Sequence, residues 1–299
     1  MSEDVFTDDV DTPRNKWSFS SLSTYAQCSE AYRLEKVVQP RVPRKPALWN
    51  TLGTGIHHAL EQWVISGRTS DMHADFEEGY ESEWNVQIAD QPDFSLWNNP
   101  YRGTVLEAKE TCRQTGHKQI DKFLEWMQDP EHEINPMYDA EDGTAWTEVQ
   151  FQLPLGDHIL VRGSIDLVEG NGEPLDWKSG KASGSKPLQL GIYSLALKLL
   201  YGIDNATGQF FYTKVDGRSH FGRSPHYDMT RYTEEYVTDI FEAAQRGVDA
   251  EVFIPNTSDF CDSLCSVKAF CREKGNPGQI IPLRFNEVEN PWWGTREEA

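Results

Sequence analysis

Apolar positions recur at helical spacing in some stretches of the chain and alternate in others, and the two periods mark different elements. Between Thr51 and Ile65, Leu52, Ile56, Ala59, Leu60, Trp63 and Val64 fall on one face of a helix. His57 and Glu61, four apart, sit together at the edge of that stripe. Upstream, the run from Trp17 to Val37 reads as one helix, with Ser20 or Ser21 as N-cap, Cys28 within it, and Leu22, Tyr25, Tyr32 and Val37 as its apolar face. A loop rich in proline and basic residues, Gln39 to Pro46, separates these two helices. Helical patterns over about Asp71 to Ile88 and Gly103 to Met127 look like a helical insertion. Two more helices are expected: Pro187 to Tyr201, with Leu188, Ile192, Leu195 and Leu199 inward, and a stretch near Glu234 to Arg246.

Alternation takes over in the middle of the chain. Trp146 to Leu153 puts Glu148, Gln150 and Gln152 on one face and Val149, Phe151 and Leu153 on the other. From His158 a second strand sets Arg162, Ser164 and Asp166 against Val161, Ile165 and Leu167. After a Gly-containing turn, Glu169 to Pro174, a short third strand sets Asp176 and Lys178 against Leu175 and Trp177. The three predict a meander with charge gathered on one side and apolar residues on the other. A further strand is expected at about Thr207 to Val215.

Composition narrows the class. With 38% hydrophobic and 12% aromatic residues in 299, the chain can bury a sizeable core, and no apolar run reaches 18 residues. Residues 1–16 are polar and acidic, unlike a secretory signal, so they are expected to form a disordered tail on a cytoplasmic protein. The 48 acidic against 28 basic residues give a net charge of −20, which argues against nonspecific polyanion binding. A nucleic-acid site must then be locally basic or metal-assisted. Candidates for phosphate contact are Arg41, Arg44, Lys45, Lys181, Lys186, Lys214, Arg218 and Arg223.

Asp166 and Asp176 on adjacent strands can together hold a hard divalent cation such as Mg2+ or Mn2+, with Lys178 on the same face to reach a substrate phosphate. The same spacing also suits an ordinary salt bridge on a solvated sheet face. Five cysteines do not fit a secreted disulfide framework. Cys261, Cys265 and Cys271 lie within eleven residues and Cys28 far upstream, enough thiolates for zinc or an iron–sulfur cluster; Cys112, alone in a helix, reads as core. Reduced core cysteines are the alternative for the four.

The order Gly53-x3-His57, Glu148, Gly163-x-x-Asp166, Asp176-Trp177-Lys178 and Gln189-x3-Tyr193 resembles the RecB-type branch of the PD-(D/E)xK nucleases, in register over about residues 17–275. That resemblance implies a restriction-endonuclease-like α/β fold, a central mixed sheet flanked by helices. It implies His57, Asp166 and Asp176 as metal ligands with the Trp177 carbonyl assisting, Lys178 as catalytic lysine, and Gln189 and Tyr193 as groups that contact DNA or order the site. Glu148 is left between a supporting role and a strand-edge charge. The cysteine layout, with the SxLxxYxxC run at Cys28, is similar to the iron–sulfur members of the branch, including the CRISPR-adaptation nucleases and the AddB nuclease domain, in which a [4Fe–4S] cluster ties the two ends together. The spacing C-x3-C-x5-C departs from the usual C-x2-C-x5-C, which keeps zinc open as the alternative.

The expected organisation is an acidic tail (1–16), a helical part with Cys28 and His57 (17–145), a nuclease core (146–215) and a C-terminal segment with the cysteine cluster (216–299). The expected activity is Mg2+- or Mn2+-dependent hydrolysis of DNA by water, leaving a 5′-phosphate, as an exonuclease on ends or single strands in recombination, repair or DNA processing. No G-x4-G-K-[ST] motif is present, so the chain is expected either to work alone or to borrow a helicase motor from a helicase or recombination partner. Two rivals stand beside it: a noncatalytic DNA-end-binding or assembly subunit that keeps the fold, and an acidic DNA-mimic interaction protein.

Overall fold

One long strand sets the layout. In the computed structural model, which describes residues 15–99, 103–180, 186–215 and 220–283, β3 (Ile159–Val168) pairs antiparallel along its length with β2 (Thr147–Leu155). Its other edge is shared by two short strands. β1 (Asn15–Trp17) runs parallel to residues 159–161, and β4 (Pro174–Lys178) runs antiparallel to Leu167 and Val168. β4 then pairs parallel with β5 (Thr207–Tyr212), and β6 (Gly222–Arg223) and β7 (Tyr227–Asp228) close the seven-stranded mixed sheet. The expected meander is present, and the sheet continues past residue 215.

Helices cover both faces. α1 (Phe19–Gln27), α6 (Pro187–Tyr201) and α7 (Glu234–Asp249) pack on one side, in a core that includes Leu22, Phe151, Val161, Ile165, Ile192, Phe210 and Phe241. α3 (Leu48–Ile65), α4 (Met72–Asp90) and α5 (Val105–Trp126) pack on the other, around Leu52, Ile56, Phe76, Phe123, Leu167, Leu175, Trp177 and Phe211. The helical part therefore forms a layer against the sheet. A third, smaller core joins Ala31, Leu34, Val38, Val267, Phe270 and Ile281 around the cysteine segment.

Several expectations change. Residues 15 and 16 belong to β1, not to a tail; residues 1–14, Lys181, Arg218 and the Trp292–Trp293 tail lie outside the described residues. The first helix starts after Ser18, which forms a capping box with Ser21. It breaks at Cys28, whose extended backbone (φ −160°, ψ 101°) separates α1 from α2 (Ser29–Tyr32), followed by a wider turn over Arg33–Val37. Val37 and Leu199 are largely exposed rather than inward.

The two site aspartates do not lie on a solvated face, Asp166 being 7% exposed and Asp176 1%, whereas Arg162 on the same strand as Asp166 is exposed. Strict alternation would set Ile165 and Leu167 on one face, yet they pack into opposite cores. The irregularity lies at Glu148, across from Asp166, where φ is +47°, a conformation that side chains with a Cβ adopt at a cost. Gly163 has a packing reason: a Cβ there would come within 2.6 Å of the Phe151 ring on the paired strand.

The chain ends are joined by a buried ion pair that the sequence pattern did not reveal. Arg33 bonds Glu30 at 2.8 Å, both almost fully buried, and also donates to the carbonyls of Ile281 and Pro282.

Candidate active site

α3 and α6 reach the same end of the sheet from its two faces, and the residues they carry meet there. From α3, His57 Nδ1 lies 3.6 Å from Asp166 Oδ2. The same Asp166 oxygen accepts the Trp177 backbone N–H at 2.8 Å, which ties β3 to β4. The Trp177 side chain points away, 1% exposed, against Phe123 and Phe211. Its identity serves packing while its backbone serves the site.

From α6, Gln189 and Tyr193 stand one helical turn apart and face β4. Lys178 Nζ donates to Gln189 Oε1 at 2.9 Å, Gln189 Nε2 donates to Tyr193 Oη at 2.8 Å, and Tyr193 Oη donates to Asp176 Oδ1 at 3.4 Å. Asp176 Oδ2 lies 2.5 Å from Lys178 Nζ and closes the ring, though without hydrogen-bond geometry, so this buried oxygen has no hydrogen-bond partner. The ion pair that the spacing allowed does form, but buried under a helix.

Glu148 joins this group. Ligand atoms of His57, Glu148 and Asp166 all lie within 4.8 Å of one another, close enough to share one metal ion. The Glu148 carboxylate is oriented by the Ser164 hydroxyl at 2.7 Å. Sequence reasoning left its role open because the unusual backbone that aims it has no signature in a regular alternation. Glu61, expected beside His57, pairs instead with His58 at 3.9 Å, and burial together with the Glu148 charge raises its pKa.

Charge is concentrated and poorly solvated here. Burial, reinforced by the Asp176 and Glu148 carboxylates, holds the Asp166 carboxyl well above the usual carboxylate range. Burial also lowers the His57 pKa, outweighing the two neighbouring carboxylates, so the imidazole is neutral near pH 7 and has a lone pair to offer. Tyr193 is pushed well above its ordinary value by burial and the nearby aspartates, and stays a phenol. A buried carboxylate pair with an unsatisfied oxygen, next to a neutral imidazole and a third carboxylate, is a donor set suited to a divalent cation.

A family model for the PD-(D/E)XK nuclease superfamily matches residues 16–272. The chain belongs to that superfamily. Among curated proteins, this nuclease-family chain is 33% identical over 270 residues to the Gene 69 protein of Mycobacterium phage D29, covering 85% of this chain and 96% of that protein. It is 28% identical over 284 residues to the Gene 69 protein of Mycobacterium phage L5, with the same coverage. A solved structure named as a candidate exonuclease, from Eubacterium rectale, aligns with a TM-score of 0.45 at 12% identity over 83% of this chain and 87% of that one. The restriction-endonuclease-like arrangement of a central mixed sheet between helices agrees with the family.

The second constellation of this nuclease-family chain lies away from the carboxylates. Cys28, Cys261, Cys265 and Cys271 line one pocket at the edge of the third core, and none of them is in a disulfide. Backbone N–H groups of Asn256 and Ser258 donate to the sulfurs of Cys28 and Cys261, each at 3.4 Å. Burial pushes the Cys265 thiol up to about 11. Cys112 is core, its thiol against the Leu48 carbonyl.

The basic candidates separate. Arg223 is held by Glu169, Gln209 and the Glu133 carbonyl, so it is a structural residue at the far edge of the sheet. Arg44, Lys45 and Lys214 line one cleft. Among the described residues, no helix is long and apolar enough to cross a membrane.

Proposed function

We propose that this chain is a divalent-metal-dependent phosphodiesterase that hydrolyses DNA, acting as an exonuclease on ends or single strands. The observation that carries this reading is the buried ring of Asp176, Lys178, Gln189 and Tyr193 set beside the His57, Glu148 and Asp166 group. His57, Asp166 and Asp176 would hold the cation, with Glu148 as a fourth donor and the Trp177 carbonyl as the backbone contribution. When bound, Mg2+ or Mn2+ polarises a phosphoryl oxygen and lowers the pKa of coordinated water. Lys178 supplies positive charge where negative charge develops on the phosphoryl group. Gln189 and Tyr193 aim that lysine: without Gln189 its ammonium would be drawn wholly to Asp176.

Retention of Asp166, Asp176 and Lys178 in working geometry favours the enzyme over a noncatalytic subunit or a DNA mimic. For the cysteines we infer a [4Fe–4S] cluster. Cys28, Cys261, Cys265 and Cys271 gathered at one pocket supply the four thiolates such a cluster takes, with zinc as the alternative occupant.

A panel of circular and linear, single- and double-stranded DNA with Mn2+ tests the reading. Loss of linear single strands with circular DNA spared supports an exonuclease. Cleavage of circles would replace it with an endonuclease, and inertness toward all four would reject catalysis.

A further inference from the structure

The nuclease reading leaves unstated how a polynucleotide lies on the protein. Two residues beyond Lys178 the chain reaches Gly180, and there a cleft of about 670 Å3 begins that extends to the cysteine segment. Arg44 and Lys45 of the proline-rich loop, Lys214 beyond β5, Trp49 at the start of α3 and Phe260 of α8 (Asp259–Ser263) line it. The chain carries a net charge of −20, yet among the lining residues three are cations and one, Glu35, is an acid. Such a local reversal beside an acidic site marks a surface that attracts a polyanion.

The basic wall is fixed in place. The Lys45 backbone N–H donates to the Ser266 carbonyl at 3.0 Å, and the Ser266 hydroxyl donates to Glu35 at 2.7 Å. Glu35 in turn lies 3.6 Å from the Arg44 guanidinium, which is 57% exposed and so can turn to a phosphate without unfolding anything.

We propose that this cleft is the track for one strand of nucleic acid leading to the Lys178 site, with phosphates on Arg44, Lys45 and Lys214 and bases against Trp49 and Phe260. This rests on the nuclease reading of the adjacent site. Cations interleaved with aromatic faces match the way single strands are held without sequence preference, since only unpaired bases expose their faces to stacking. The volume falls in the range of ordinary ligand pockets and admits a few nucleotides of one strand.

The test uses the full chain carrying Asp166→Asn, so that DNA survives the measurement. Fluorescence anisotropy with a labelled oligothymidylate and with a duplex of equal length, over a salt series, reads the cleft alone. A Lys45→Ala, Lys214→Ala double variant should weaken single-strand binding at least tenfold and lower the salt slope by about 1.4, at roughly 0.7 per lost phosphate contact. Trp49→Ala should weaken it roughly 5- to 150-fold at unchanged slope. The arginine double variant at the same two lysines should restore the slope. Unchanged affinity and slope in the alanine double variant, with its melting temperature intact, would overturn the cleft. Preference for the duplex would also overturn it. Hydrolysis of bis(p-nitrophenyl) phosphate by the wild-type protein reports the metal site separately: inertness there and on DNA would defeat the nuclease reading while the binding assay still decided the cleft.

Discussion

Gln189 Oε1 accepts a hydrogen bond from Lys178 Nζ at 2.9 Å, although the same ammonium lies 2.5 Å from Asp176 Oδ2. The lysine is thus shared between a helix and its own strand, in contact with both the amide and the carboxylate. Gln189→Ala should lower kcat about 10- to 100-fold, as lost orienting partners do, with KM for DNA nearly unchanged. Gln189→Glu should not restore the rate, since a carboxylate would hold the ammonium more tightly. A steady-state kinetic comparison checks both, and an effect confined to KM would assign Gln189 to DNA contact instead.

Asp166 is held well above the usual carboxylate range by burial and by Asp176 and Glu148. A carboxyl with a raised folded-state pKa favours the folded state below its ordinary value of 3.8, and that contribution is lost as pH rises through the raised value. Metal-free Asp166→Asn should therefore be more stable than wild type near neutral pH, by about 2–4 °C in melting temperature. The gap should shrink as pH is lowered toward 4. Differential scanning fluorimetry in EDTA over that pH range tests the sign.

Protons and metal compete for the same groups. Mn2+ binding to wild type should release protons and weaken as pH falls through the raised Asp166 pKa, whereas Asp166→Asn should bind weakly throughout. Calorimetric titrations in buffers of different ionisation enthalpy count the protons. An affinity independent of pH would remove Asp166 from the ligand set.

Arg33 and Glu30 are both almost fully buried and tie α2 to the carbonyls of Ile281 and Pro282. Arg33→Ala leaves Glu30 buried without its bidentate partner and should cost about 3–5 kcal/mol. Replacing both with apolar residues of similar volume should cost much less. Urea denaturation of the two variants separates a charge left unpaired from lost packing.

Much of this was readable because periodic burial leaves a periodic sequence. α3 and α6 appear where Leu52 to Val64 and Leu188 to Leu195 recur, and the Asp176–Lys178 strand appears where charge alternates with Leu175 and Trp177. What stayed hidden depends on distant partners. β1 is three residues long and exists because its backbone pairs with Ile159–Val161, far along the chain, so no local period announces it. The break at Cys28 and the left-handed Glu148 are single-residue events that a helical or alternating template smooths over. The alternation of β4 was read as a wet face because sequence cannot show that α6 covers it.

The central claim is that the buried carboxylate and lysine group performs metal-dependent hydrolysis, and a single assay addresses it. End-labelled single-stranded DNA is incubated with Mn2+ and wild-type protein, Asp166→Asn or Lys178→Ala, each matched for melting behaviour. The wild type should degrade the strand and lose that ability in EDTA, while either variant should fall by at least about 100-fold. Degradation by both variants at the wild-type rate would contradict the account.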